Sequence, residues 1–224
     1  MKNALIALIR FLRNIFLNAK TVEIKSVPSV SKNVDVKNVT GDIKMEIRKM
    51  ESLQILPILE IYNLRKYWNT ERQWEGIVIH HSQTKDSQTV NWTEIFKYHT
   101  EVNGWQDIGY NFGIEKRDME YVFCIGRSLN IAGAHTKGFN STHLGICLVG
   151  NFDIAPPSED QLVMLTDLVT QIIAITGITR QQVIAHWESF IPRGLAKNQE
   201  EAQAIKSCSG LQFSIEEFRK RLEV

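Results

Sequence analysis

The run Gly76-Ile-Val-Ile-His-His is short, apolar and β-branched, and it constrains the fold more than any other segment of the chain. Such a run reads as a buried strand. Alternation along it places His80 with Val78 on one face and His81 with Ile79 on the other. Two comparable runs, Leu144 to Val149 and Val183-Ile-Ala-His, occur later. Ile108 to Glu115 and Tyr121 to Ile125 are strand-like as well, joined by the charged turn Lys116 to Glu120. Helices with local start signals stand between these strands. Asn91 with Glu94 forms a capping pair that opens a helix ending near Gly104. Pro156-Pro-Ser launches a long one, with Ser158 as N-cap, Gln161 at N3 and Gly177 just past its end. Leu162, Leu165, Val169, Ile172 and Ile173 make its apolar face. Ser214 and Glu217 open the last helix, with Ile215, Phe218 and Leu222 inward. Strands that alternate with helices predict an α/β fold, a mixed central β-sheet flanked by helices on both faces.

A chain of 224 residues buries one sizeable core and leaves length for an arm. The domain is expected over 71–224, preceded by an extension over 43–70 supplying one or two helices, divided at Pro57, that dock on it. Residues 21–42, with scattered valines among polar residues, read as an extended linker. Residues 1–20 are apolar but interrupted by Arg10 and Arg13. They read either as an amphipathic helix at a membrane surface or as a helix packing on its own domain. Net charge is +1, and no basic stripe interleaved with aromatics is present, so no nucleic acid partner is expected.

Three cysteines are too few and too scattered for a disulfide framework. Cys124 and Cys147 sit in apolar strand-like runs as small buried hydrophobes. Cys208 differs, because Lys206-Ser-Cys-Ser-Gly is a polar turn. His80 ends one strand and His186 another, and strand ends of an α/β sheet are where sites assemble. Two imidazoles and one thiolate suit zinc, with a fourth tetrahedral position left for water. Water so held approaches a neutral pKa and can attack an amide carbonyl.

The blocks Gly76-IVIHHSQTKD, Gly104-WQDIGYNFGIEKRD and Tyr121-VFCIGRSLNIAGAHTKGFNSTHLGICLVGNFD resemble, in order, the type 2 N-acetylmuramoyl-L-alanine amidase family. That family includes peptidoglycan recognition proteins and phage amidase-type lysozymes. The resemblance, from about Trp74 to Phe213, implies zinc as cofactor with His80, His186 and Cys208 as ligands. It implies catalytic roles for Tyr110 and Lys206, and a muropeptide groove lined by His135, Thr136 and Asn140. Arg127 is suited to meet a peptide carboxylate, or else to brace the fold. The implied activity is hydrolysis of the amide between N-acetylmuramic acid and L-alanine in peptidoglycan, the alternative being a muropeptide receptor that does not cut. A monomer is expected, in the envelope, periplasm or secreted, with a cytoplasmic role left open. Two departures from the family pattern stand out. An insertion, roughly Glu188 to Ile205, separates His186 from Cys208, and Ser209 occupies a position where proline is usual.

Overall fold

The computed structural model describes residues 54–84 and 90–222. The segments expected over 1–20 and 21–42, and the start of the 43–70 extension, lie outside the described residues. Six strands form one sheet: β1 Gln54–Pro57, β2 Gly76–His81, β3 Phe112–Arg117, β4 Glu120–Ile125, β5 His143–Leu148 and β6 Val183–Ala185. Their spatial order is β1-β4-β3-β5-β2-β6. β1, β4 and β3 pair antiparallel, whereas β3, β5, β2 and β6 run parallel. The helices are α1 Trp92–Lys97, which runs on into a π turn Tyr98–Val102, α2 Glu159–Thr176, α3 Gln199–Ile205 and α4 Ile215–Arg221. The sheet is mixed and carries helices on both faces, as expected from the sequence.

Alternation sorts the two faces. Ile77 and Ile79 of β2, Leu144, Ile146 and Leu148 of β5, and Phe112 and Ile114 of β3 share one buried cluster with Leu165, Leu168, Val169 and Ile172 of α2 and with Ile215 and Phe218 of α4. The opposite face carries a smaller cluster in which Trp92, Ile95 and Phe96 of α1 meet Cys124 and Cys147. Both cysteines are free and fully buried, in keeping with their apolar surroundings. Helix starts follow local chemistry. The side chains of Asn91, Ser158, Asn198 and Ser214 each accept the backbone N–H three residues on. Gly177 closes α2 at φ 76°, a left-handed position that glycine adopts without steric cost.

Two expectations are corrected. Gln54–Pro57 is not helical but an edge strand paired with β4, followed by a 3₁₀ stretch Ile58–Lys66. Proline is tolerated there because an edge strand has no second neighbour to serve. The strand expected from Ile108 begins only at Phe112. Before it, Asn111 is fully buried, and its side chain accepts from Gly145 N and donates to the Arg127 carbonyl. The Asn111 side chain thus adds to backbone bonds from Asn111 N to the Gly145 carbonyl and from Gly126 N to the Asn111 carbonyl, and Tyr110 stands just before the strand. Among the described residues, no helix is long and apolar enough to cross a membrane.

Candidate metal centre

β2 and β6 are parallel neighbours with Ile79 opposite Ala185, so His80 and His186 follow the same rung. Their rings lie 4.6 Å apart, centroid to centroid. A loop bearing Cys208 crosses these strand ends. The Cys208 carbonyl accepts from Trp187 N at 2.8 Å, and Asp153 takes Ser207 Oγ at 2.9 Å and Leu211 N at 3.0 Å. One ligand atom from each of His80, His186 and Cys208 falls within 4.8 Å of the other two. Cys208 Sγ is 3.5 Å from His80 Nδ1.

The hydrogen-bond order behind His80 settles which nitrogen it presents. His135 Nε2 faces the His143 carbonyl at 3.2 Å and can only donate to it, which leaves His135 Nδ1 an acceptor. That atom lies 3.1 Å from His80 Nε2. With its hydrogen on Nε2, His80 donates to that acceptor and turns the Nδ1 lone pair toward the sulfur. Thr136 Oγ1, at 3.3 Å from His80 Nε2, flanks the same bond.

Electrostatics favour cation ligands over cations here. Burial holds His80 well below the ordinary imidazole range, with His186, His135 and Lys206 adding to the effect. Burial, then Lys206 and His135, takes His186 down to about 3. Both rings are neutral at pH 7 and keep a lone pair. Burial pushes the Cys208 thiol up to about 12, so its conversion to thiolate calls for a positive partner. His186 Nδ1 is buried without any hydrogen-bond partner. An orphaned imidazole nitrogen beside a buried thiol and a second lone pair fits a tetrahedral divalent metal with soft and nitrogen ligands.

The sequence profile of the type 2 family described as N-acetylmuramoyl-L-alanine amidase matches residues 70–209, well over half of the chain. The chain belongs to this amidase family. An endolysin of Enterobacteria phage T3 is 46% identical over 79 residues, 35% of this chain and 50% of the relative. A human N-acetylmuramoyl-L-alanine amidase is 34% identical over 90 residues, 40% of this chain and 15% of the relative. This chain thus spans about half the length of the phage relatives it matches. An endolysin amidase from Clostridium intestinale shares the fold, with a TM-score of 0.52 at 24% identity over 68% of this chain and 86% of that one.

Around this cluster, Tyr110 lies with its ring 5.1 Å from that of His80. Burial first, then the Cys147 and Cys208 thiols, raises its phenol well above the usual range, so it remains an O–H donor at neutral pH. Lys206 is exposed where α3 ends, and its charge helps to depress both His80 and His186. A cavity of about 590 Å³ is lined by Tyr110, by Ser82 just past β2, and by α1 and its π turn through Ile95, Tyr98, His99 and Val102.

The residues expected to line a groove make hydrogen bonds within the protein. Thr136 is 1% exposed, and both it and His135 sit against His80 Nε2. Asn140 Oδ1 accepts from His135 N and Thr136 N, closing their turn. Arg127 donates to the carbonyls of Ile108, Ala132 and Asp107, which leaves a peptide carboxylate to compete with three bonds already made. His99 sits in no motif that singles it out in the sequence. Its Nδ1 accepts from Gly109 N, and the ring lines the cavity 5.5 Å from Tyr110. The inserted segment also reaches the centre. Phe190 stacks on His186 at 5.8 Å, and the Arg193 guanidinium covers the Phe190 ring at 5.4 Å.

Proposed function

We propose that this protein hydrolyses the amide between N-acetylmuramic acid and L-alanine in peptidoglycan, using zinc held by His80, His186 and Cys208. The observation that carries the reading is the meeting of those three ligand atoms within 4.8 Å of one another, beside Tyr110 and an open cavity. The names of the relatives, endolysin and N-acetylmuramoyl-L-alanine amidase, point to the same substrate. When bound, zinc supplies Lewis-acid charge at the scissile carbonyl and a water acidified toward neutrality. His80 offers Nδ1 because His135 accepts the hydrogen on its Nε2. Cys208 gives up its proton on binding and so lowers the positive charge of the centre. Tyr110, kept protonated, and Lys206 donate to the oxyanion of the tetrahedral intermediate. Donors of this kind are worth about 3 kcal/mol each at the transition state. The cavity along α1 takes the muropeptide, with the apolar side chains of Ile95 and Val102 as floor and His99 as a polar contact.

The test is release of free amine from purified peptidoglycan. Activity is expected to vanish after dialysis against a chelator and to return with added zinc. Lys206→Ala should lower turnover about a hundredfold while zinc content stays the same. Binding of the polymer with no amine released, even with zinc present, would leave only a muropeptide receptor.

A further inference from the structure

The Ser209 hydroxyl is committed twice. Ser209 O–H donates to the Ile79 carbonyl at 2.5 Å, and Ser209 Oγ accepts the His186 N–H at 3.4 Å. The side chain is 1% exposed. Ile79 is the residue before His80, and β6 leaves the sheet at Ala185, just before His186. Ser209 itself follows Cys208. One oxygen therefore touches the backbone beside all three ligands. Two neighbouring parallel strands that part at their ends leave a carbonyl and an N–H facing each other without a direct bond. Here the hydroxyl fills that gap as a side-chain rung. Proline could not do so, having neither hydroxyl nor any other donor to offer Ile79.

From this geometry we infer that Ser209 is a positioning residue of the metal centre, which fixes the spacing of His80, His186 and Cys208 by hydrogen bonds. The inference rests on the zinc reading above. Outer residues that orient metal ligands typically alter affinity by about 10- to 100-fold when removed, and a loss in this range is expected for Ser209→Ala.

The experiment measures zinc affinity by competition with a chromogenic chelator, and the visible spectrum of the cobalt-loaded protein, for the full chain. Ser209→Ala should bind zinc about 10- to 100-fold more weakly and shift the cobalt bands that report ligand geometry. Ser209→Thr, which retains the hydroxyl, should bind more tightly than the alanine variant. Ser158→Ala, which removes the N-cap of α2, supplies the control for a general loss of stability and should leave affinity and spectrum unchanged. Wild-type affinity in Ser209→Ala would overturn the assignment, as would an equal loss in the alanine and threonine variants or in Ser158→Ala. Should the wild-type protein take up neither zinc nor cobalt, the metal reading itself fails, and that result is distinct from failure of the serine alone.

Discussion

Gly145 lies on β5 beneath the His135 ring, and a Cβ built there would stand 2.5 Å from His135 Cδ2. A Cβ at Gly133 would come equally close from its own side. The ring that orients His80 thus occupies space left by two absent side chains, and its position is set by contact as well as by hydrogen bonds. Gly145→Ala is expected to cost about 1–3 kcal/mol through overpacking. It should also weaken zinc binding about tenfold by displacing His135 from His80. Thermal melts of the metal-free protein and chelator competition measure the two effects separately, and a stability loss with unchanged affinity would return His135 to a packing role. Tyr110→Phe makes the opposite prediction, with turnover down about a hundredfold and zinc affinity unaltered. At this scale the candidates His80, His186 and Cys208, which the fold brings together, were readable, because two histidines at strand ends and a cysteine in a polar turn are distinctive residue types in distinctive places. The groove residues were not. A sequence block says which side chains are near one another, but not that Thr136 and Asn140 turn inward to hold His80 and its partner.

α1 shows how an element far from the ligands shapes the site. Its start is held twice, by Asn91 Oδ1 accepting Glu94 N and by the buried carboxylate of Glu115 accepting Trp92 N. The other Glu115 oxygen takes Arg117 Nε. Glu115 is 0% exposed, so its removal strands a backbone N–H in the interior. Glu115→Ala is expected to destabilise the protein by about 2 kcal/mol. Because α1 walls the cavity, KM for muropeptide should rise while zinc content holds. Loss of zinc in that variant would show that α1 supports the centre rather than the cleft. The helix starts were legible, since a capping side chain and the N–H it accepts lie three residues apart in the chain. β1 was not. A four-residue edge strand ending in proline carries too little periodicity to separate it from helix, and only its pairing with β4 defines it. Glu115 was read as the end of a strand; nothing local indicates that it caps a helix more than twenty residues earlier.

Across the whole molecule, the histidines are buried neutral to an unusual extent, and this has a consequence for stability in acid. Burial lowers His81, His99 and His135 to about 4 and His186 to about 3, and it lowers His80 as well. Asp153 opposes the effect at His81 and Lys206 reinforces it, so no nearby carboxylate rescues the group as a set. In the unfolded chain each ring titrates near its ordinary value of 6.5. Between pH 6.5 and about 4 the unfolded state therefore binds more protons than the folded one, and stability must fall as pH falls through this window. Above pH 6.5 both states are neutral at these positions, and their contribution is fully present. The metal-free protein should accordingly melt at steadily lower temperature from pH 6.5 to 4, with a slope steeper than uptake of a single proton would give. His99→Gln tests the argument away from the candidate ligands, since the His99 ring accepts from Gly109 N and lies against Trp105 and Tyr110. That variant should show a shallower slope over the same range and little change above it. A melting curve flat between pH 6.5 and 4, or an identical slope in His99→Gln, would mean that the rings charge without unfolding the protein. The same burial keeps the lone pairs of His80 and His186 available at neutral pH. Resistance to acid and readiness for a metal are thus set against each other by one structural choice.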